Sequence, residues 1–152
     1  MIDPYDIDLP TLAWLAGSSA NRAVLAELHE LGHEGVRNSH GYVVQHLVAG
    51  SPTVGELAEA LGVTQQAASK HVLELERLGY VTRVPDPADS RVRRASLTAD
   101  GRRLVEDSRR VRARLDERLR ATKAAKEALV RLLDLTGGIE NVRHRRVGLP
   151  GD

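Results

Sequence analysis

The sequence contains no cysteine. Disulfides, thiolate metal sites and a cysteine redox switch are therefore excluded. No apolar run approaches the roughly 20 residues that cross a bilayer. The acidic opening Met1-Ile2-Asp3-Pro4-Tyr5-Asp6 lacks the basic-then-apolar order of a secretion signal. A cytoplasmic protein with no membrane partner is expected. Catalytic signatures are missing too: there is no G-x-S-x-G, no phosphate-cradling G-x-x-x-x-G-K-S/T and no G-x-G-x-x-G. An enzyme is not expected, and no cofactor is implied.

What is present is globular in composition. With 152 residues, 41% hydrophobic and 28% charged, the chain suits one domain with helical extensions. The net charge of +1 conceals an asymmetry. Residues 1–60 hold eight acids against two bases, whereas residues 61–152 hold twenty bases against thirteen acids. A polyanion is one partner that suits the second half; a solvated arginine-rich helix is the plainer source, since ten of those bases fall within residues 102–126.

Apolar residues spaced by three and four predict a helix over 11–31, closed at Gly32, and a second over 37–49. Thr53-Val54-Gly55-Glu56 is a capping box that opens a third, and Thr64 caps a fourth that ends at Gly79. Residues 80–84 and 92–97 alternate like paired strands around the turn-forming tip 85–90. Thr98 caps a long helix of about 25 residues, and a last one precedes Gly137-Gly138. The run Arg143-His144-Arg145-Arg146 reads as a frayed basic tail.

Residues 54–75 have the pattern of a helix-turn-helix. Ala58 is small enough for a tight helix crossing, and Gly62 sits where a side chain would clash or strain the backbone. Leu57, Leu61, Val63, Ala68 and Val72 are the expected lock between the two helices. Gln65, Gln66, Ser69 and Lys70 are left outward at the start of the second helix. Glutamine can bond both edges of adenine, serine can bond bases or phosphates, and lysine can reach guanine or phosphate. The hairpin adds Arg83, Arg91, Arg93 and Arg94, with Asp89 placed to brace the Arg91 guanidinium.

The stretch Asp86-Pro87-Ala88-Asp89-Ser90-Arg91, followed by Leu97-Thr98-Ala99-Asp100-Gly101, resembles the wing signature of MarR-type (multiple antibiotic resistance) regulators. Glu56-Leu57-Ala58, Leu61-Gly62-Val63 and Leu75-Glu76-Arg77-Leu78-Gly79-Tyr80-Val81 match as well. The resemblance spans residues 11–135 and is most specific over 53–101. It implies a mainly α winged helix-turn-helix with a two-stranded β-wing. It also implies a homodimer intertwined through its first and last two helices, and repression of genes at a pseudo-palindromic operator. Release by a small, often aromatic anion bound between the dimer and DNA lobes is implied too. The expected division is a dimerisation helix (1–35), a DNA-binding domain (36–100), C-terminal dimerisation helices (101–136) and a tail (137–152). Ser90 stands where many members have a second arginine, and His71 takes a usually apolar place as a half-buried structural histidine. Independently of the resemblance, the stripe Leu104, Val111, Leu115 and Leu119 has too little chain left to cover it, which also points to a second subunit.

Three other readings compete. His29-Glu30-Leu31-Gly32-His33 matches the zinc-peptidase pattern H-E-x-x-H, but Gly32 should end the helix before His33 shares a face with His29. His40 also lies one residue beyond the spacing a third ligand would need. A metal-responsive regulator using His29, His33 and His40, with Glu30 and His46 close by, needs no catalysis. The third is a winged helix that docks on protein through the basic stretch Arg102 to Lys126. Trp14, the sole tryptophan, reads first as dimer core; together with His40 it is the candidate contact for an effector.

Overall fold

The computed structural model describes residues 3–120 and 122–139; the basic tail at 143–146 lies outside them. A 3-10 turn, Pro4–Asp6, is followed by α1 (Leu9–Glu30), α2 (Asn38–Val48), α3 (Val54–Leu61) and α4 (Gln65–Arg77). Strands β1 (Val81–Pro85) and β2 (Arg93–Leu97) come next, then α5 (Ala99–Leu119) and α6 (Lys123–Leu135). The strands pair antiparallel, with Val81 opposite Leu97 and Pro85 opposite Arg93.

Local chemistry fixes the boundaries. Helix α1 begins earlier than periodicity predicted because the Asp8 carboxylate accepts from the Thr11 N–H at 3.0 Å and Pro10 occupies the first turn. Gly32, at φ +93°, turns the chain, and the His33 N–H closes back on the Leu28 carbonyl at 2.9 Å. The capping box forms: the Glu56 N–H donates to Thr53 Oγ1 at 3.2 Å, and the Thr53 N–H donates to Glu56 Oε2 at 2.8 Å. Thr64 and Thr98 cap α4 and α5 in the same manner. Helix α5 stops short of the expected length at Arg120, whose backbone is left-handed (φ 45°).

The core runs through α1, α2, α3, α4, the base of the hairpin and the first half of α5. It includes Leu28, Val43, Leu47, Leu57, Leu75, Ala95, Leu104 and Val111. Coverage then ends. Only Val24 and Leu28 are buried along α1, and α6 buries none of its described residues. Leu9, Trp14, Leu15, Leu119, Leu129, Val130 and Leu135 are all exposed.

A polar bridge crosses this core. His33 is completely buried; Nδ1 lies 3.2 Å from the Tyr80 hydroxyl and Nε2 lies 2.8 Å from Asp107 Oδ2. Arg110 holds the other Asp107 oxygen from the solvent side. The loop after α1, the start of the hairpin and the middle of α5 are thus tied at one imidazole. Beside it the Thr98 N–H donates to the Tyr80 carbonyl at 3.0 Å. Gly101 lies against that carbonyl so closely that a Cβ there would sit 2.1 Å from the oxygen.

Gly101→Ala is therefore expected to destabilise the fold by about 2–4 kcal/mol, because backbone and not a flexible side chain must yield; denaturant unfolding measures it. A loss below about 0.5 kcal/mol would mean that α5 can shift freely. The hydrogen bond with His33, helped by Arg110, holds the Asp107 carboxyl below its ordinary value near 3.8. A depressed folded-state value stabilises above the unfolded one and is lost as the pH falls through it. The stability gap between the native chain and Asp107→Asn should be widest at neutral pH and close below about pH 4, as read by unfolding at a series of pH values.

Candidate nucleic-acid interface

The α3–α4 crossing buries Leu57, Ala58 and Leu61 against Ala68, Val72 and Leu75. Gly62 makes the turn with a left-handed backbone at φ +64°. Val63, expected in the lock, is instead exposed, because the turn carries it outside the crossing. Gln66, Ser69 and Lys70 fall on the face of α4 opposite this lock, spaced by three and four. Gln66 and Lys70 are exposed and Ser69 is half-buried. Gln65 is also exposed, but its amide lies back over α3, 3.0 Å from where a Cβ on Gly55 would stand.

The four arginines of the hairpin divide into two pairs. Arg94 is committed inward: its Nε bonds Asp86, and its Nη1 reaches the Ser51 carbonyl at 3.0 Å and Glu56 Oε2 at 3.3 Å. Arg83 is a clamp on α4, with Nε at 3.0 Å and Nη2 at 2.7 Å from Glu76 Oε2. Arg91 and Arg93 are exposed on the wing, and no ion pair holds either guanidinium among the described residues. The brace expected from Asp89 to the Arg91 guanidinium is replaced by a backbone bond, the Arg91 N–H donating to Asp89 Oδ1 at 3.0 Å.

The tip owes its shape to Asp86. Its Oδ1 accepts from the N–H groups of Ala88 at 2.7 Å and Asp89 at 3.2 Å, while Oδ2 faces Arg94. Those bonds hold the Asp86 carboxyl below its usual range, Arg94 contributing most. Beneath it the Ala95 N–H bonds the Pro52 carbonyl at 2.9 Å, and Thr53 bridges Arg94. The wing is thereby bonded to the segment that starts α3.

Residues 35–92 match the sequence model of the MarR family. These residues, from α2 to the hairpin tip, resemble that family. The fold is similar to that of the reduced form of MarR from E. coli, at 25% identity, 86% coverage of this chain, 96% of that one and a TM-score of 0.64. It is similar to Staphylococcus aureus MepR, a regulator of the multidrug efflux pump MepA, at 20% identity, 86% and 96% coverage and a TM-score of 0.65. A point mutant of MepR bound to an oligodeoxyribonucleotide matches at 21% identity, 86% and 96% coverage and 0.61. No curated protein matches in sequence. MarR-family members are transcription regulators and not enzymes, and no described helix is long and apolar enough to cross a membrane.

Around this core, the histidines do not gather as the sequence suggested. His29 Nε2 is 2.8 Å from the Val36 carbonyl, and both nitrogens of His33 are engaged with Tyr80 and Asp107. Glu30 and His33 flank the helix end at Leu31 and Gly32, so the H-E-x-x-H match has no helical face to work on. His46 sits in the last turn of α2. His40 turns the other way, toward α4. Its Nδ1 accepts from the Arg37 N–H at 3.2 Å, which leaves the ring proton on Nε2 facing Glu74 Oε2 at 3.1 Å. Arg37 bonds the same Glu74 oxygen. These two bonds hold Glu74 down at about 2, while burial pushes the His40 imidazole below its usual value.

The cleft between α1, α2 and α5 is lined by apolar Val24, Leu28, Val44 and Leu104 and by the cations Arg37 and Arg112. Neither Trp14 nor His40 lines it: Trp14 is 66% exposed on the uncovered half of α1, and His40 is spent on Glu74. Of the groups sequence reasoning missed, Asp86 was findable, since an aspartate two residues ahead of a free N–H is an Asx turn. Glu74, Glu76 and Asp107 were not, nor was the Arg94 contact of Glu56, because their partners are distant in the chain or on another element.

Arg94→Ala should lower stability by about 1–3 kcal/mol, since it strands the half-buried Asp86 carboxylate, whereas Arg91→Ala should change it by less than about 0.5 kcal/mol. Thermal and denaturant unfolding of the two variants checks the contrast, and equal losses would refute this division of the wing arginines.

Proposed function

We propose that the protein binds double-stranded DNA as a homodimer at a pseudo-palindromic operator and represses the genes it controls. The observation that carries this reading is the juxtaposition of the Gln66-Ser69-Lys70 face of α4 with a wing carrying two arginines that no described residue pairs. Gln66, and Gln65 if its amide swings off Gly55, would read base edges in the major groove, with Ser69 and Lys70 bonding bases or backbone. Arg91 and Arg93 would reach the minor groove or phosphates beside it. Arg83, Arg94 and Asp89 act one step back, holding the wing at its angle. A MepR mutant of similar fold is bound to an oligodeoxyribonucleotide, which supports DNA as the partner.

The dimer is supported by the apolar side chains left uncovered on α1, the end of α5 and α6, which in water call for a second copy of the same surface. Two α4 helices related by a two-fold axis would meet half-sites about one helical turn apart. The cleft between α1, α2 and α5 suits a small effector with an apolar body and an anionic end, its charge met by Arg37 and Arg112. Occupying it would wedge elements of the proposed dimer region against α2 and release the operator.

Selecting bound duplexes from a random library should return a two-fold symmetric site. On that site Gln66→Ala should relax preference at one position by about 1–3 kcal/mol. Arg91→Ala should weaken binding to all sequences and flatten the salt dependence by about one phosphate contact. Recovery of no consensus, with equal affinity for every duplex, would sink the reading.

A further inference from the structure

We propose that His40, His71 and Glu74 form a transition-metal site that clamps α2 to the recognition helix α4. One ligand atom from each lies within 4.8 Å of the others. Glu74 Oε2 is central, 3.1 Å from His40 Nε2 and 3.8 Å from His71 Nδ1. Donor atoms about 2.0–2.2 Å from a common zinc ion are separated by roughly 3.3–3.6 Å, so a shift of about 1 Å or so brings the set to bonding distance. Two imidazoles and one carboxylate suit zinc, cobalt(II) or nickel(II) and not calcium or magnesium, which take oxygen ligands. His71 and Glu74, on the solvent side, are 29% and 22% exposed, which leaves room for water as a fourth ligand.

Two further features point to a cation. His71 Nδ1 is buried without a hydrogen-bond partner, and it is the only such side-chain atom among the described residues. A buried acceptor left unpaired is costly, and a metal would satisfy it. In addition the Arg37 guanidinium lies against both other ligands, bonded to Glu74 Oε2 and 3.3 Å from His40 Nε2. It is a positive charge resting where a metal would rest, and its side chain, 57% exposed, is free to swing out.

Metal binding would not be silent. Ligation through Nε2 moves the His40 ring proton to Nδ1, which breaks the bond from the Arg37 N–H that opens α2. It also expels the Arg37 side chain, which lines the cleft between α1, α2 and α5. The metal, the cleft and α4 are therefore linked through Arg37. Consequences for operator affinity rest on the DNA-binding reading above; metal stoichiometry does not, so the two can fail separately.

The test uses the full chain without an affinity tag, titrated with cobalt(II) and followed by its visible absorption, then by zinc competition. One metal per chain is expected. His71→Ala and Glu74→Gln should each weaken it by at least about tenfold. Arg37→Ala should bind more tightly than the native chain, a gain that misfolding cannot imitate. His29→Ala should bind unchanged. No stoichiometric metal in the native chain would overturn the site, as would native affinity in His71→Ala. Equal loss in His29→Ala would instead place the metal at the His29-to-His33 segment, and unchanged affinity in Arg37→Ala would remove the guanidinium as its competitor.

Discussion

A two-stranded ribbon has little stability of its own in water, and the wing here is anchored first of all by the Arg94 guanidinium. Arg94 spans the Asp86 carboxylate at the tip, the Ser51 carbonyl before α3 and the Glu56 carboxylate that also closes the α3 capping box. Start of helix, strand and tip thus share a single node. Arg83 repeats the device on the other strand, tying β1 to Glu76 on α4. With both strands anchored to the helices that flank them, the wing carrying Arg91 and Arg93 is set relative to the α4 face of Gln66 and Lys70. A reader of a duplex needs that fixed relation more than it needs any one contact, because misplaced donors cannot all meet their acceptors together.

The His33 bridge does the same for the rest of the chain. It joins the loop after α1 to Tyr80, just ahead of the hairpin, and to Asp107 on α5. The close approach of Gly101 to the Tyr80 carbonyl leaves no slack at the join. Beyond Val111 the packing thins, and α6 contributes nothing buried among its described residues. The well-packed part of the chain is thus the winged helix with the adjoining halves of α1 and α5. The remaining helical surface is uncovered.

Much of this was legible in the sequence for a simple reason: caps and turns are local. Thr53, Thr64 and Thr98 cap the helices they were read to cap, and Gly32, Gly62 and Gly79 take the positive φ angles that their places demand. The strands follow from alternation. What could not be read is which charges are already spent. Four wing arginines look alike in sequence, yet two are bound to acids 7 and 8 residues away and two are not. His40 and Glu74 meet across 34 residues, and His33 and Asp107 across 74. The parting of His29 from His33 at Gly32 was legible, but not where each ring goes, one to the Val36 carbonyl and the other into the core.

The same accounting bears on the basic second half of the chain. Along α5, Arg110 answers Asp107, Arg114 answers Glu27 on α1, Arg103 answers Asp100, and Arg102 bonds the Leu97 carbonyl. These pairs are mostly exposed and contribute little stability each, but they neutralise part of the field an acidic protein would meet there. An acidic docking partner would have to compete with acids already in place along much of that helix. No such competition exists at Lys70, Arg91 and Arg93, where no carboxylate pairs with the cation among the described residues. Charge left uncompensated on one face, and compensated on another, favours a polyanion at the recognition helix over a protein along α5.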